Sequence, residues 1–224
     1  MLDQYGRKID YLRISVTDRC NLRCRYCMPE PMAAVRHDDI LRYEEILRIC
    51  RAAIELGITK FKVTGGEPLV RGGCTDFIAA LKKQSGTEQV TLTTNGLLLE
   101  KNLDALTDAG LDGVNISLDT LDNARFRSIT GYTGDGADTL LCVLKECCAK
   151  GLKTKINAVL LEETEADAPA LAGIASMLPV DVRFIELMPI GFGTAMKRVS
   201  PEDIFAVLKE RWPDFAPTEE KRGN

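Results

Sequence analysis

The sequence predicts an α/β fold, a partial (β/α)6 barrel of the TIM type, on three observations. Six strand-length apolar runs recur along the chain. Helix-length stretches of mixed polarity separate them. Glycines stop three of those stretches, at Gly57, Gly110 and Gly151, as glycine does past a helix C-terminus. Strands joined through helices run parallel, with right-handed crossovers. Six such units fall short of the eight of a closed barrel, so the expected barrel is open.

The elements follow in order. Tyr11 to Val16 (YLRISV) reads as the first strand and Tyr43 to Leu56 as an amphipathic helix. Thr59 to Val63 is the second strand, followed by a helix over Thr75 to Lys83. Gln89 to Thr93 and Gly113 to Leu118 are the third and fourth strands, with a helix over Glu100 to Ala109 between them. A helix over Thr139 to Lys150 leads to the fifth strand, Leu152 to Leu160. A helix over Thr164 to Leu178 leads to the sixth, Val182 to Leu187. Pro201 to Arg211 is a last helix, with Ser200 as its N-cap and Pro201 at its first position.

The 224 residues fit one large domain, and 45% hydrophobic with 28% charged residues is the balance of a soluble globular protein. A net charge of -4 argues against a nucleic-acid partner but leaves room for a local basic pocket. No apolar run approaches the roughly 20 residues of a spanning helix, and the first residues lack an apolar signal core. The expectation is a cytoplasmic protein with no membrane contact. Eight cysteines in a reducing compartment are then thiols, reactive groups or metal ligands rather than disulfides.

Cys20, Cys24 and Cys27 form C-x3-C-x2-C just after the first strand, where βα barrels carry their active sites. An iron–sulfur cube usually takes four cysteines. Three leave one iron open to chelate a small molecule through an amine and a carboxylate. A zinc site needs a fourth ligand, and His37, the only histidine, is the candidate. Cys50, Cys74, Cys142, Cys147 and Cys148 have no ligand-like spacing and read as core or surface thiols.

The aromatic Tyr26 before the third cysteine, and Thr64-Gly65-Gly66-Glu67-Pro68 after the second strand, resemble the motifs of the radical S-adenosylmethionine (SAM) superfamily. The blocks RISVTDRCNLRCRYCMPE, VTGGEPLVR, LTTNGLLL, VNISLDTLD and RFIELMPIG run in order from Arg13 to Gly191. They resemble, more narrowly, the GTP 3′,8-cyclases of molybdenum cofactor biosynthesis. That resemblance implies a [4Fe-4S] cluster on Cys20, Cys24 and Cys27, with SAM on its open iron. It implies that a 5′-deoxyadenosyl radical abstracts hydrogen from GTP, giving (8S)-3′,8-cyclo-7,8-dihydroguanosine 5′-triphosphate. Tyr26 would lend its backbone to the adenine, Gly66 would meet the SAM amino group, Ser117 the ribose or carboxylate, and Met188 would pack near the adenine. For GTP the matching positions are Arg13, Lys62, Thr93 and Lys155, with Lys60 and Arg183 as neighbours. Lys62 stands where the family commonly has arginine, keeping charge but losing the bidentate fork. The resemblance also implies an electron donor such as flavodoxin or ferredoxin, and it leaves homodimer formation open.

The basic positions make sense on their own. Arg13, Lys62, Lys155 and Arg183 fall inside predicted strands, and a charge inside a barrel strand is costly unless paired or facing a wet cavity. A triphosphate supplies partners; the competing expectation is that some of these side chains point outward or form ion pairs with Glu67, Asp119 or Glu186. The family continues beyond this chain with a second three-cysteine site and an arginine-containing stretch, whereas no cysteine here follows Cys148. The expected organisation is a radical SAM core over 1–200 and the start of a truncated C-terminal region over 201–224, with GTP cyclisation by this chain alone weak. The competing functions are a peptide-modifying radical SAM enzyme and a non-catalytic metal-binding module.

Overall fold

The computed structural model describes residues 2–28, 30, 35–36 and 39–219. Six strands form one parallel sheet in sequence order: β1 (Tyr11–Ser15), β2 (Lys60–Thr64), β3 (Gln89–Thr94), β4 (Gly113–Ser117), β5 (Lys153–Leu160) and β6 (Val180–Glu186). The strand order matches the expected (β/α)6 arrangement. β1 and β6 form the two margins of the sheet, so the barrel is partial, as six units require. Seven α-helices are described: α1 (Tyr43–Glu55), α2 (Cys74–Lys82), α3 (Leu99–Asp108), α4 (Asn123–Thr130), α5 (Gly136–Ala149), α6 (Ala168–Met177) and α7 (Pro201–Arg211).

Strand periodicity decides what faces where. Along β5, Thr154, Ile156, Ala158 and Leu160 are buried, while Lys155, Asn157 and Val159 between them are half-exposed. The buried set packs outward against the helices. The other set faces the lumen. Phe61, Leu92, Ile116 and Ile156 are almost fully buried and join one core with α1, α2, α3 and α5. Each such side chain contributes roughly 1.5–3 kcal/mol through burial. The ring of Tyr43 on α1 stacks on Phe77 of α2, centroids 4.8 Å apart.

Two elements depart from expectation. The stretch after β4 holds an unforeseen short helix, α4. Its Asp122 N-cap accepts from Arg125 N at 2.7 Å, and only Phe126, Ile129 and Thr130 are buried, so its apolar signal is weak. The helix expected from Thr164 begins as a 3-10 turn over Glu162–Asp167, and α6 starts only at Ala168. Pro169 explains the late start, because a residue without N–H is accommodated in a first turn and not in a helix interior.

α7 has the expected bounds and packs Ile204 and Leu208 against Leu160, Ala168 and Val199. Ser200 caps it: Oγ accepts from Asp203 N at 3.1 Å, and the Asp203 carboxylate accepts from Ser200 N at 3.3 Å. Ser200→Ala should therefore cost about 1 kcal/mol, read as a lower urea midpoint by circular dichroism. An unchanged midpoint would show that packing alone holds α7. Among the described residues no helix is long and apolar enough to cross a membrane.

Candidate active site

The cysteine loop is anchored from two sides. Arg23 N donates to Thr130 O at 2.7 Å and Arg25 N to Ile129 O at 3.0 Å, tying the loop to the end of α4. From the other side, Gly66 N donates to Thr17 O at 2.7 Å and Glu67 N to Arg19 O at 2.8 Å. A Cβ on Gly66 would lie 2.4 Å from Arg19 O and 2.7 Å from Asp18 O. The glycine is required here by the approach of two backbone segments, a reason the sequence reading, which assigned it to a ligand, did not contain. Within the loop, Cys27 N and Met28 N both donate to Cys24 O at 2.9 Å.

The three cysteines line one cavity of about 280 Å³, together with Arg13, Gly66, Thr93 and Ser117. The cavity lies at the C-terminal ends of the strands. Tyr26 lines it too, and its hydroxyl donates to Asp119 Oδ2 at 2.8 Å; Asp119 Oδ1 accepts from Val159 N at 2.8 Å. Burial pushes the Asp119 carboxyl up to about 6 against those two hydrogen bonds. The Cys24 thiol is pushed up to about 12, by burial first and then by the Asp119, Cys20 and Cys27 charges. Burial, then Cys20, also raises Cys27. Cys24 and Cys27 are thus biased toward the protonated thiol, and a metal ion that binds them displaces the proton.

A second cavity of about 340 Å³ lies toward the strand N-termini and is lined by Lys62, Asn115, Lys155, Asp181 and Arg183. Lys62 is 8% exposed. Its ammonium pKa is lowered, by burial first and then by Arg183, Arg13 and Lys155; Arg183 and Lys155 line this cavity with it, while Arg13 lines the thiol cavity. Lys62 Nζ sits 5.7 Å from the Tyr11 ring centroid, Lys155 pairs with Asp181 at 3.2 Å, and Arg13 Nη2 donates to Thr64 Oγ1 at 3.4 Å.

The acids expected as ion-pair partners are used elsewhere. Glu67 is fully buried and accepts from Thr94 Oγ1, Asn95 N and Leu69 N. Asp119 holds Tyr26, and Glu186 meets Arg198 at 3.8 Å. Asp181 was missed because only the strand register places it beside Lys155. Lys60 lies at the start of β2 and pairs with Asp10 at 3.0 Å. Met188 is 62% exposed, in an apolar recess with Cys27, Ile190 and Phe192 at the cavity's edge. Cys50, Cys74 and Cys147 are buried in the core, Cys148 is half-buried and Cys142 exposed, so none joins the site.

This constellation on six parallel strands is that of a radical SAM enzyme core. The model of the radical SAM superfamily matches residues 14–173, and the chain belongs to that superfamily. Its relatives are more specific. A GTP 3′,8-cyclase of Clostridium perfringens is 45% identical over 212 residues, 94% of this chain and 65% of that protein. A GTP 3′,8-cyclase of Heliobacterium modesticaldum is 47% identical over 216 residues, covering 94% and 66%. One of Clostridium botulinum is 40% identical over 230 residues, covering 100% and 70%. The chain thus spans about two thirds of the length of the curated relatives it matches.

Among solved structures, Streptococcus suis SuiB bound to S-adenosylmethionine superposes with a TM-score of 0.75 at 21% identity, over 92% of this chain and 47% of that one. The anSMEcpe enzyme with bound AdoMet gives 0.70 at 17% identity, over 91% and 60%. These likenesses show the partial barrel fold.

The superfamily's cofactors, a [4Fe-4S] cluster and SAM, fit the residues present. The donor set is three thiols on one anchored loop, the chemistry iron–sulfur clusters require. Asn157 Oδ1 is buried in the same cavity and, among the described residues, has no hydrogen-bond partner. It lies in register with Ser117, where a hydrogen-bond donor on a ligand would satisfy it. Among the described residues no three His, Cys, Asp or Glu side chains gather around a single metal position, and His37 lies outside the described residues.

Proposed function

We propose that this chain is the radical SAM core of a GTP 3′,8-cyclase, with Cys20, Cys24 and Cys27 as the cluster ligands. The observation that carries the reading is the stacking of two chemistries in one lumen: a thiol-lined cavity above and a cationic one below. A nucleoside triphosphate suits that polarity better than a peptide, because its phosphates bring concentrated anionic charge to a cavity lined by Lys62, Lys155 and Arg183. Arg13 lines the upper cavity and is close enough to act electrostatically on Lys62, which lines the lower one.

When bound, the cluster and SAM supply one electron and a hydrogen-abstracting radical. The chain's residues do the rest. Ser117 and Asn157 offer polar groups to the SAM ribose or carboxylate, and Met188 and the Tyr26 backbone flank the adenine. The lower cations fix the triphosphate so that the ribose points toward the thiol side. Thr93, between the two layers on β3, offers a hydroxyl to the nucleotide. A reduced flavodoxin or ferredoxin is the proposed electron source, and the cytoplasm the proposed compartment. The relatives' remaining length covers a region this chain does not match, so full turnover is proposed to need that region.

The deciding experiment is an anaerobic product assay with GTP and SAM, run on this chain and on a version carrying a relative's C-terminal third. The cyclised nucleotide should form with the extended version and weakly or not at all with this chain. SAM cleavage in both without any nucleotide product would turn the reading toward another substrate. Arg13→Ala should weaken GTP binding roughly 10–100-fold, the value of one charge-assisted hydrogen bond, while uncoupled SAM cleavage persists. Equal loss of both would make Arg13 structural.

A further inference from the structure

The thiol of Cys20 is contacted by Asn95, from the end of β3. Asn95 follows β3 directly, and four hydrogen bonds through three of its atoms fix its position. Its backbone N donates to Glu67 Oε2 at 2.7 Å. Its Oδ1 accepts from Leu97 N at 3.1 Å. Its Nδ2 donates to Asn21 Oδ1 at 2.7 Å, and to Cys20 Sγ at 3.8 Å. The amide cannot be turned over without losing all of the side-chain contacts, because one end faces an N–H and the other faces two acceptors. Glu67 is rigid in turn, with both oxygens accepting from the Thr94 hydroxyl at 2.8 and 2.9 Å. Leu22 N adds a second donor to Cys20 Sγ at 3.4 Å.

An N–H aimed at a ligating thiolate draws electron density from sulfur. It stabilises the more negative, reduced form of the cluster and raises its potential. We propose that Asn95 is a positioning residue that sets the reduction potential of the cluster by donating its side-chain amide to Cys20 Sγ. This rests on the ligand assignment proposed above. It gives the buried Glu67 a purpose beyond holding the turn: the carboxylate aims Asn95.

The test is an anaerobic redox titration of the reconstituted full chain, followed by the electron paramagnetic resonance of the reduced cluster. Dithionite is the reductant and passes one electron to each cluster. Asn95→Ala and Asn95→Asp are compared with the unaltered chain; the aspartate keeps the volume and the acceptor for Leu97 N but has no N–H. Both variants should bind as much iron as the unaltered chain. At the poise where the unaltered chain is half reduced, their ratio of reduced to oxidised cluster should fall at least threefold. Asn21→Ala, which leaves the Asn95 amide on Cys20 alone, should hold or raise that ratio.

Full iron with an unmoved ratio in both Asn95 variants overturns the role of Asn95 alone. Loss of iron in both also overturns it, by making Asn95 a residue of assembly. An unaltered chain that takes up no cluster overturns the ligand assignment itself, and the proposal with it.

Discussion

Cys24→Ala is expected to leave the chain without its cluster: iron should fall from about four atoms per chain to near zero, and the visible absorption with it. Cys24 is the middle of the three thiols, and burial pushes it up to about 12. That shift expresses how little solvent reaches it, and the Tyr26 hydroxyl beside it is already donated to Asp119. The backbone should survive the change, since the loop turns on Cys24 O, which accepts from Cys27 N and Met28 N. Circular dichroism should therefore match the unaltered chain. Iron content that does not move would refute the ligand assignment outright.

The second large effect is expected from Gly66→Ala. The added methyl would meet Arg19 O at 2.4 Å and both Arg19 C and Asp18 O at 2.7 Å. These are backbone atoms, unable to swing aside as a side-chain end would. Relief requires moving the loop that carries Cys20, at the cost of the Gly66–Thr17 and Glu67–Arg19 hydrogen bonds. The expected loss is about 3 kcal/mol, measured by urea unfolding, together with weaker iron uptake. Gly72, with nothing within 4 Å of the same position, is the control; its alanine variant should stay within about 0.5 kcal/mol. Similar midpoints for the two variants would mean that the close approach carries no weight.

The sheet was legible in the sequence because parallel strands buried against helices are continuous or alternating apolar runs, and glycines marked where helices end. All six strands lie within two residues of their expected bounds. α4 was not legible. Its buried face is little more than Phe126 and Ile129, too few for a periodic signal, although the helix carries two of the hydrogen bonds that hold the cysteine loop. The C-x3-C-x2-C spacing was readable because metal chemistry on one loop is local in sequence. Asp119, Asn95 and Asn157 were not, because what they do depends on contacts across 40 to 93 residues of chain or on strand register. The cationic strand positions were found by asking why a charge should sit in a strand at all. Their expected acidic partners, Asp119 among them, were misassigned because only the strand register places Asp181 beside Lys155.

Among the described residues, β1 and β6 are not hydrogen-bonded to each other. A closed ring of strands fixes the bore once and for all; a bent arc leaves a lengthwise slot, and its width is set by how tightly the arc is drawn. A ligand broader than the bore can enter sideways through that slot without unthreading either end. Among the described residues no further strand pairs with the outer edge of β1 or of β6, and an unpaired edge is the kind of backbone to which an extended chain can add.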